Sequence, residues 1–445
     1  MRPDDRALLI AGLPTHGEWS RPNSPLAKFC PGAAGVHWTS AARRITLTGS
    51  ASTGLETAES GAVRLSSDAV VFAAPQPPEP DRLLVSPSEV QRIFRGDSER
   101  LVERWIAALE VPVAFWELDA SDTLAFAKCW RIAAGGRAAT TTIDPDGRVA
   151  IAAAGDSGPR VVFAVDGGRL MPGPAGPGPA AISVTGSGRV RLMIVIAAGD
   201  ADLDRTLQVV ARRGFTGLHA QRLQHERLLR DYGAALSTPL ARLDSQFEWA
   251  KALSDEEVRA RQSVAAAEAL LGVGLRDGAR ELLKAGCEAL AQAWSAWVGD
   301  AGLAGAVAGP APLTPVFGPA ADAPDAAAEL APDRLLRWVT TTLWGIVADA
   351  PGQAVSLAPR LPAGWTRMAL ARIRVGRSAI DCDLRVRAPT LIVRVRRASG
   401  PPLTVTLAPA GVATGGISVD GIELAGGRAR FEAIGEHEAV FEQAS

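Results

Sequence analysis

Two stretches of sequence decide how this chain folds: Phe247-Glu248-Trp249-Ala250-Lys251 and Leu357-Ala358-Pro359-Arg360-Leu361-Pro362-Ala363-Gly364-Trp365. The first closes a long stretch of helical character, and the second opens a tail whose apolar residues alternate as they do in strands. Trp249 and Trp365 lie 116 positions apart. The architecture depends on how many helices fit between them, because a helix takes about 11–12 residues and its connection about 4–6.

The chain before the first stretch is rich in predicted strands. From residue 111 to residue 196 apolar residues recur with period two, and turn sequences such as Asp144-Pro145-Asp146-Gly147 and Asp166-Gly167-Gly168 interrupt them. Short strands at this spacing are typical of an antiparallel sandwich. We therefore predict an N-terminal β-sandwich domain over residues 1–203.

Predicted helices are placed by local start signals. Ser86-Pro87-Ser88-Glu89 and Ser254-Asp255-Glu256-Glu257 both carry the Ser-x-x-Glu pattern of a capping box. The first signal predicts a helix near residues 87–109 inside the N-terminal domain, and the second predicts a new helix from Ser254. Residues 204–236 are predicted to form a linker helix. Residues 237–352 are predicted to form a helical block, with about five helices between Pro239 and Val347 judged by their periodicity.

Strand-like alternation returns after Pro351 and predicts a C-terminal β-sandwich domain over residues 353–445. The predicted fold class is therefore multidomain, with both α and β structure. Its parts are an N-terminal antiparallel β-sandwich, a linker helix, a reduced block of α/α helical hairpins and a C-terminal β-sandwich.

This order, together with several short segments, resembles the six-hairpin glycosidases. That clan includes glycogen debranching enzymes, bacterial glucoamylases, maltose and trehalose phosphorylases and α-L-rhamnosidases. The similar segments are Arg191–Ile196, Thr238-Pro239, Leu243-Asp244, Glu248–Lys251, Leu270–Gly272, Gly278–Arg280, Leu282-Leu283, Leu361-Pro362, Trp365 and Arg372–Gly376. The resemblance implies a helical toroid of twelve helices between two β-domains, acting on glycosidic bonds.

The chain departs from that pattern where the toroid should lie. Twelve helices need roughly 140 residues before loops are added. The interval of 116 positions therefore holds only part of a toroid. The aromatic-rich, Arg-Asp-bearing segment that the family places soon after its first barrel helix is also missing. No catalytic residue can be carried over, and we predict that the toroid is reduced.

Candidate site residues are therefore chosen by the chemistry of their side chains. Glycoside cleavage typically uses two carboxyls that face one pocket, and Asp244 and Glu248 are the candidates for that role. The tryptophans of the helical block could stack on sugar rings or pack in the core, and both alternatives stay open. They are Trp249, Trp294, Trp297, Trp338 and Trp344.

Composition excludes other classes of function. The formal net charge of −1 gives no electrostatic reason to expect nucleic acid or an anionic membrane as a partner. Four dispersed cysteines fit a reducing compartment, and no apolar run reaches about 18 residues, so we expect a cytoplasmic protein without a membrane span. We expect no metal and no cofactor.

An incomplete toroid should expose apolar helix surface, which predicts a homo-oligomer or a protein partner through the helical block.

The predicted function is that of a glycosidase-like protein without hydrolase activity, in a carbohydrate-related binding or assembly role. Two alternatives stay open. One is an active glycosidase or glycosyl-transferring enzyme on an α-glucan or a rhamnoside, which would use a carboxylate pair. The other is a purely structural or interaction protein without affinity for sugars.

Overall fold

The computed structural model describes residues 28–31, 37–42, 44–74, 78–95, 101–121, 124–134, 139–174, 180–300, 311–312, 323–410 and 414–443, together with Leu9 and Leu13. The chain divides into two compact units, residues 1–226 and residues 227–445, and each is described by itself. Among the helices of these ranges, none combines the length and the apolar character that a bilayer crossing requires.

The described part of unit 1 is dominated by one antiparallel sheet of fifteen strands. The strand order is β1-β7-β8-β9-β10-β15-β11-β5-β4-β3-β2, with β14, β13 and β12 added in turn from β15 and β6 paired to β11. The strands are β1 (Lys28–Pro31), β2 (His37–Ala41), β3 (Thr46–Ser50), β4 (Gly54–Ser60), β5 (Val63–Ser67), β6 (Val71–Phe72), β7 (Glu79–Val85), β8 (Glu89–Arg95), β9 (Leu101–Ala107), β10 (Val113–Asp119), β11 (Ala125–Ala134), β12 (Thr140–Ile143), β13 (Val149–Ala153), β14 (Arg160–Pro172) and β15 (Ala180–Ala197).

Both faces of the central strands are buried. On one face, Trp105 and Trp116 join a core with residues of the outer strands. On the other face, Phe115 packs against helix α1 (Asp200–Tyr232), where its ring centroid lies 5.0 Å from that of Phe215. This layering gives unit 1 two hydrophobic cores that share one sheet.

The helix predicted near residues 87–109 is wrong, because this segment forms β8 and β9. The Ser86 side chain does accept a hydrogen bond from the Glu89 N–H at 3.0 Å, as the capping pattern requires. The Ser86 N–H, however, donates to the Glu89 carbonyl at 2.8 Å, which closes a hairpin between β7 and β8. Every residue of β9 is buried, so the strand lacks the polar alternation by which sequence would reveal it.

The two turn sequences have different outcomes. Asp144-Pro145-Asp146-Gly147 forms the predicted turn, in which the Gly147 N–H donates to the Asp144 carbonyl at 2.9 Å. Asp166-Gly167-Gly168 instead forms a bulge within β14. Gly167 has a φ of 75°, and a side chain there would place its Cβ 2.1 Å from the Arg189 carbonyl oxygen. The glycine therefore permits a close strand approach and does not end a strand.

Unit 2 combines helices with two sheets. Its helices after α1 are α2 (Ala241–Arg261), α3 (Val264–Gly272), α4 (Asp277–Lys284), α5 (Ala291–Val298), α6 (Pro324–Ala327) and α7 (Pro332–Arg337), with a 3₁₀ turn at Glu288–Leu290 and a π-helical turn at Trp338–Leu343. Its strands are β16 (Ala235–Ser237), β17 (Ala311–Pro312), β18 (Val347–Asp349), β19 (Ala354–Leu357), β20 (Arg367–Val375), β21 (Ser378–Arg387), β22 (Thr390–Ser399), β23 (Leu403–Leu407), β24 (Thr414–Val419), β25 (Ile422–Leu424), β26 (Ala429–Ala433) and β27 (Glu436–Gln443). The sheet orders are β16-β20-β21-β22-β27-β24-β25 and β17-β18-β19-β23-β26.

One hydrophobic core serves the helices and both sheets of unit 2. It includes Leu243 of α2, Trp338 of the π-helical turn, Leu370 of β20 and Val405 of β23, all of them buried. The helical block and the C-terminal strands therefore share one hydrophobic core. The domain boundaries predicted near residues 203, 236 and 352, and the two-layer sandwich form of each β-region, stay predictions.

The helix predicted to start at Ser254 is wrong, because α2 continues through this position to Arg261. Asp255 forms an ion pair with Arg259 one turn later, with its Oδ2 atom 2.7 Å from Nε. The carboxylate is therefore balanced inside a helix and does not mark a helix start.

Candidate functional site

Asp244 lies in the first turn of α2, and both of its carboxylate oxygens accept hydrogen bonds from Thr238. Oδ2 accepts from the Thr238 N–H at 3.0 Å, and Oδ1 accepts from the Thr238 hydroxyl at 2.8 Å. Burial raises the pKa of Asp244, and these two hydrogen bonds oppose the increase. The arrangement joins the end of β16 to the start of α2, which gives this carboxylate a structural role.

Glu248, one turn further along α2, is the counter-ion of a buried ammonium group. Its Oε2 atom lies 2.8 Å from Nζ of Lys251, a side chain that is fully buried. Lys251 also donates to the Ala234 carbonyl at 2.8 Å, and its Nζ lies 5.6 Å from the centre of the Phe247 ring. Burial lowers the pKa of Lys251 and Glu248 opposes this change, so the pair holds the ammonium charge inside the unit.

Two other carboxylates of the block that are largely buried are balanced by arginines. Asp255 pairs with Arg259, and Glu268 pairs with Arg337 at 3.1 Å. Arg337 also donates to the Ala265 carbonyl at 2.9 Å, which ties α7 to α3. Lys251 and Arg337 were not among the site residues proposed from the sequence. The spacing of Glu248 and Lys251 would have indicated the first pair, whereas the second joins residues far apart along the chain.

Four of the five tryptophans proposed as sugar platforms lie in the core of unit 2. Trp294, Trp297, Trp338 and Trp344 are each no more than 1% exposed. Trp249 on α2 is half-buried and keeps some exposed surface. The alternative of core packing therefore accounts for the four buried rings. Sugar stacking stays a prediction, and Trp249 is the one of these five tryptophans whose ring has solvent-accessible surface for contact with a sugar.

The apolar surface expected of an incomplete toroid is not found in the described residues of the helical block. The large apolar side chains that the described ranges leave exposed are Val71, Met171, Leu228, Tyr232, Ile422 and Ile434, and none of them falls within residues 237–352. The shared core explains this, since the C-terminal strands cover the helices. The homo-oligomer and the protein partner stay predictions.

Ligands for a metal do not gather in the described structure. Within those ranges, no group of three or more His, Cys, Asp or Glu side chains is placed to hold an ion. Cys129, Cys287 and Cys382 are free thiols.

Unit 1 contains a buried ion cluster that the sequence did not reveal. Glu103 of β9 accepts hydrogen bonds from the Arg92 guanidinium and, at 2.8 Å, from Nε1 of Trp116. Nζ of Lys128 lies 3.6 Å from the same carboxylate. On the other face of the sheet, Glu117 pairs with Arg104. These charges sit at strand positions where sequence patterns predict apolar residues, and they are balanced across neighbouring strands.

His219 of α1 is a buried imidazole next to this sheet. Burial lowers its pKa from 6.5 to about 4. Oε2 of Glu89 lies 3.7 Å from His219 Nε2, beyond hydrogen-bond distance, and although a carboxylate at this distance favours the charged ring, the effect of burial on the pKa is larger. The Phe215 ring, with its centroid 5.4 Å away, supplies apolar contact. The folded unit therefore holds His219 neutral at pH 7.

We expect acid to destabilise unit 1 through His219. The imidazole binds a proton near pH 6.5 when the chain is unfolded but only near pH 4 when it is folded. The stabilisation present above pH 6.5 is therefore lost as the pH falls towards 4. Between pH 7 and pH 4 the wild-type unit should lose about 2–3 kcal/mol more than His219→Gln, whose cost does not depend on pH. Hydrogen exchange of unit 1 peptides measures this difference, and His225→Gln on the same helix is the control. Parallel curves for the wild type and His219→Gln would contradict the prediction.

Comparison with known proteins gives no matching family model and no matching curated protein. Similar solved structures include a bacterial glucoamylase complexed with acarbose, at 9% identity and a TM-score of 0.38, covering 64% of this chain and 50% of that chain. A GH92 α-mannosidase from Bacteroides thetaiotaomicron has 8% identity and a TM-score of 0.27, covering 51% of this chain and 38% of its own. An α-L-rhamnosidase from Streptomyces avermitilis complexed with L-rhamnose has 10% identity and a TM-score of 0.20, covering 74% and 61%.

The similar structures thus include a glucoamylase and a rhamnosidase, two of the kinds of enzyme to which the sequence segments show a resemblance. The chain spans half of the length of the glucoamylase and less of the mannosidase. At these identities and TM-scores the likeness assigns no residue role and no chemistry to this chain.

Proposed function

We propose that this chain is a glycosidase-like protein that does not cleave glycosides and that acts in carbohydrate-related binding or assembly. The observation that carries the proposal is that both candidate carboxylates have structural partners, Asp244 with Thr238 and Glu248 with Lys251. Cleavage needs one carboxyl kept protonated and a second one free to attack or to activate water. A carboxylate that neutralises a buried ammonium is poorly suited to either role.

An active glycosidase or glycosyl-transferring enzyme is the second candidate. The raised pKa of Asp244 favours it, because burial raises the pKa of a general acid in the same manner. The hydrogen bonds of Thr238 speak against it, since both carboxylate oxygens are used as acceptors.

We expect no turnover of maltooligosaccharides or of an aryl α-L-rhamnoside above the rate of a buffer blank. Wild type, Asp244→Asn and Glu248→Gln should be indistinguishable in reducing-sugar and aryl-release assays. The exposed Glu288→Gln is the matched control for the second variant. A rate that Glu248→Gln abolishes and Glu288→Gln retains would establish the enzyme instead.

A glycan array with the same protein separates the binding role from a purely structural one. Retention of at least one class of oligosaccharide, without turnover, supports the proposal. An array without binding, together with the absence of turnover, would favour the structural or interaction protein.

A further inference from the structure

A cavity of about 470 Å³ lies along α1 within unit 1. Its volume falls within the range of small-molecule sites, roughly 300–1,000 Å³. Val111, Val209 and Leu218 give it an apolar lining. Its charged lining residues are four arginines and one glutamate, a net charge of +3, and they are Arg44, Arg205, Arg212, Arg213 and Glu110.

Two of the four arginines are available to a ligand. Arg44 is paired with Asp202 at 2.7 Å, and Arg213 donates to the Gln221 side chain at 2.5 Å. Arg205 and Arg212 are exposed and make no hydrogen bond or ion pair with the residues that the structure describes, although the charge of Arg205 helps to lower the pKa of Asp202. The chain as a whole carries a net charge of only −1, so this concentration of positive charge is local. Guanidinium groups in such a setting favour planar or tetrahedral oxyanions.

Thr206 supplies a second, independent observation. Its side chain lines the cavity and is 1% exposed, yet its hydroxyl has no hydrogen-bond partner in the described part of the chain. A threonine hydroxyl inside a helix ordinarily donates to a carbonyl three or four residues earlier. Thr340 does so, at 3.0 Å from the Leu336 carbonyl. The unused donor of Thr206 therefore points to a ligand oxygen.

A break in α1 adds backbone polarity to the same place. Gly214 has a φ of 59° and a ψ of −175°, so the helix ends there and restarts. Leu218 and Gln221, from the first two turns after the break, line the cavity. The N-terminal turns of a helix carry partial positive charge and favour anions.

We propose that this cavity binds a small organic phosphate. Arg205, Arg212 and the Thr206 hydroxyl hold the phosphate, and the organic part lies against the apolar lining. Because Asp202 neutralises Arg44, the remaining net charge is +2, which suits a phosphate monoester, with about −1.5 to −2 at pH 7, better than a single carboxylate. The proposal does not depend on whether the chain cleaves or binds glycosides.

Titration calorimetry on the full chain at low ionic strength tests this with glucose 1-phosphate, inorganic phosphate, glucuronate and glucose. We expect glucose 1-phosphate to bind, inorganic phosphate and glucuronate to bind about tenfold more weakly, and glucose not to bind. Arg205→Ala/Arg212→Ala should weaken glucose 1-phosphate binding about tenfold or more, and Thr206→Val should weaken it to a smaller extent. Arg227→Ala/Arg367→Ala removes the same charge from exposed sites outside the cavity and should leave the affinity unchanged.

Three results would overturn the proposal. The first is no binding of glucose 1-phosphate or phosphate at millimolar concentration. The second is equal weakening by the two double-arginine variants, which would show a general charge effect. The third is glucuronate binding as tightly as glucose 1-phosphate, which would assign the cavity to carboxylates. The four substituted arginines, Arg205, Arg212, Arg227 and Arg367, are all exposed. A circular dichroism melt equal to that of the wild type therefore confirms that each double variant is folded.

Discussion

Glu103→Gln is expected to lower the free energy of unfolding of unit 1 by about 3–5 kcal/mol, because it leaves buried cations without their counter-ion. Glu103 is 0% exposed and contacts Arg92, Lys128 and the Trp116 indole. Glutamine keeps the size of the side chain and an acceptor for Trp116, so the loss is one of charge. The carboxylate, rather than the apolar contacts alone, holds this layer of the sheet together.

Lys128 and Arg92 should respond differently to the loss of the Glu103 carboxylate. Burial lowers the pKa of Lys128 to about 8, and the Glu103 carboxylate opposes that change. Without the carboxylate the pKa of Lys128 falls further, so this side chain can lose its proton and limit the cost. Arg92 cannot deprotonate and keeps its hydrogen bonds to carbonyl oxygens, such as that of Ser52 at 2.6 Å, and its contact with the Phe94 ring at 4.5 Å from the centroid.

A double-variant cycle tests the source of the loss. Lys128→Met in the Glu103→Gln chain removes one unpaired cation, so the double variant should be less destabilised than the sum of the two single variants. Glu59→Gln is the matched control, because Glu59 pairs with Arg64 at the surface and should change stability by less than about 0.5 kcal/mol. Hydrogen exchange of unit 1 peptides measures the free energy of unfolding of unit 1 separately from that of unit 2. A Glu103→Gln effect as small as that of Glu59→Gln would show that the cluster is not coupled.

Strands with one solvent-exposed face could be predicted from the sequence, and strands with both faces buried could not. β11 and β21 alternate buried and partly exposed residues, and both lie in the segments, residues 111–196 and 353–445, whose alternation predicted strands. β9 carries Glu103 and Arg104 side by side, which in a sequence suggests a solvated helix face. Their partners lie on β8, β10 and β11, so the register of the sheet must be known before these charges can be interpreted.

The candidate site was predictable only in part for a similar reason. Glu248 and Lys251 are three positions apart on one helix, and their pairing follows from helix geometry. The cavity on α1 needs Arg44 from the segment before β3 as well as the break at Gly214. A single glycine in a polar helix pattern gives no sign of where the restarted helix will lie.

Trp344→Ala is expected to destabilise unit 2 by about 3–5 kcal/mol, because the indole is 0% exposed and its removal leaves a cavity in the core. Trp344→Phe should cost much less. The indole N–H of Trp344 is buried and has no hydrogen-bond partner among the described residues, and phenylalanine removes this unsatisfied donor together with part of the volume.

Trp249→Ala is the matched control, since the same substitution on half-buried α2 surface removes fewer contacts. Hydrogen exchange of unit 2 peptides should rank the variants as Trp344→Ala, Trp249→Ala and Trp344→Phe in order of decreasing loss, with the last two close together. If the ring of Trp344 instead served as an open sugar platform, its loss would leave stability nearly unchanged and would abolish glycan retention. The order of these three variants therefore decides between core packing and sugar stacking, the two alternatives that the sequence left open for the buried tryptophans.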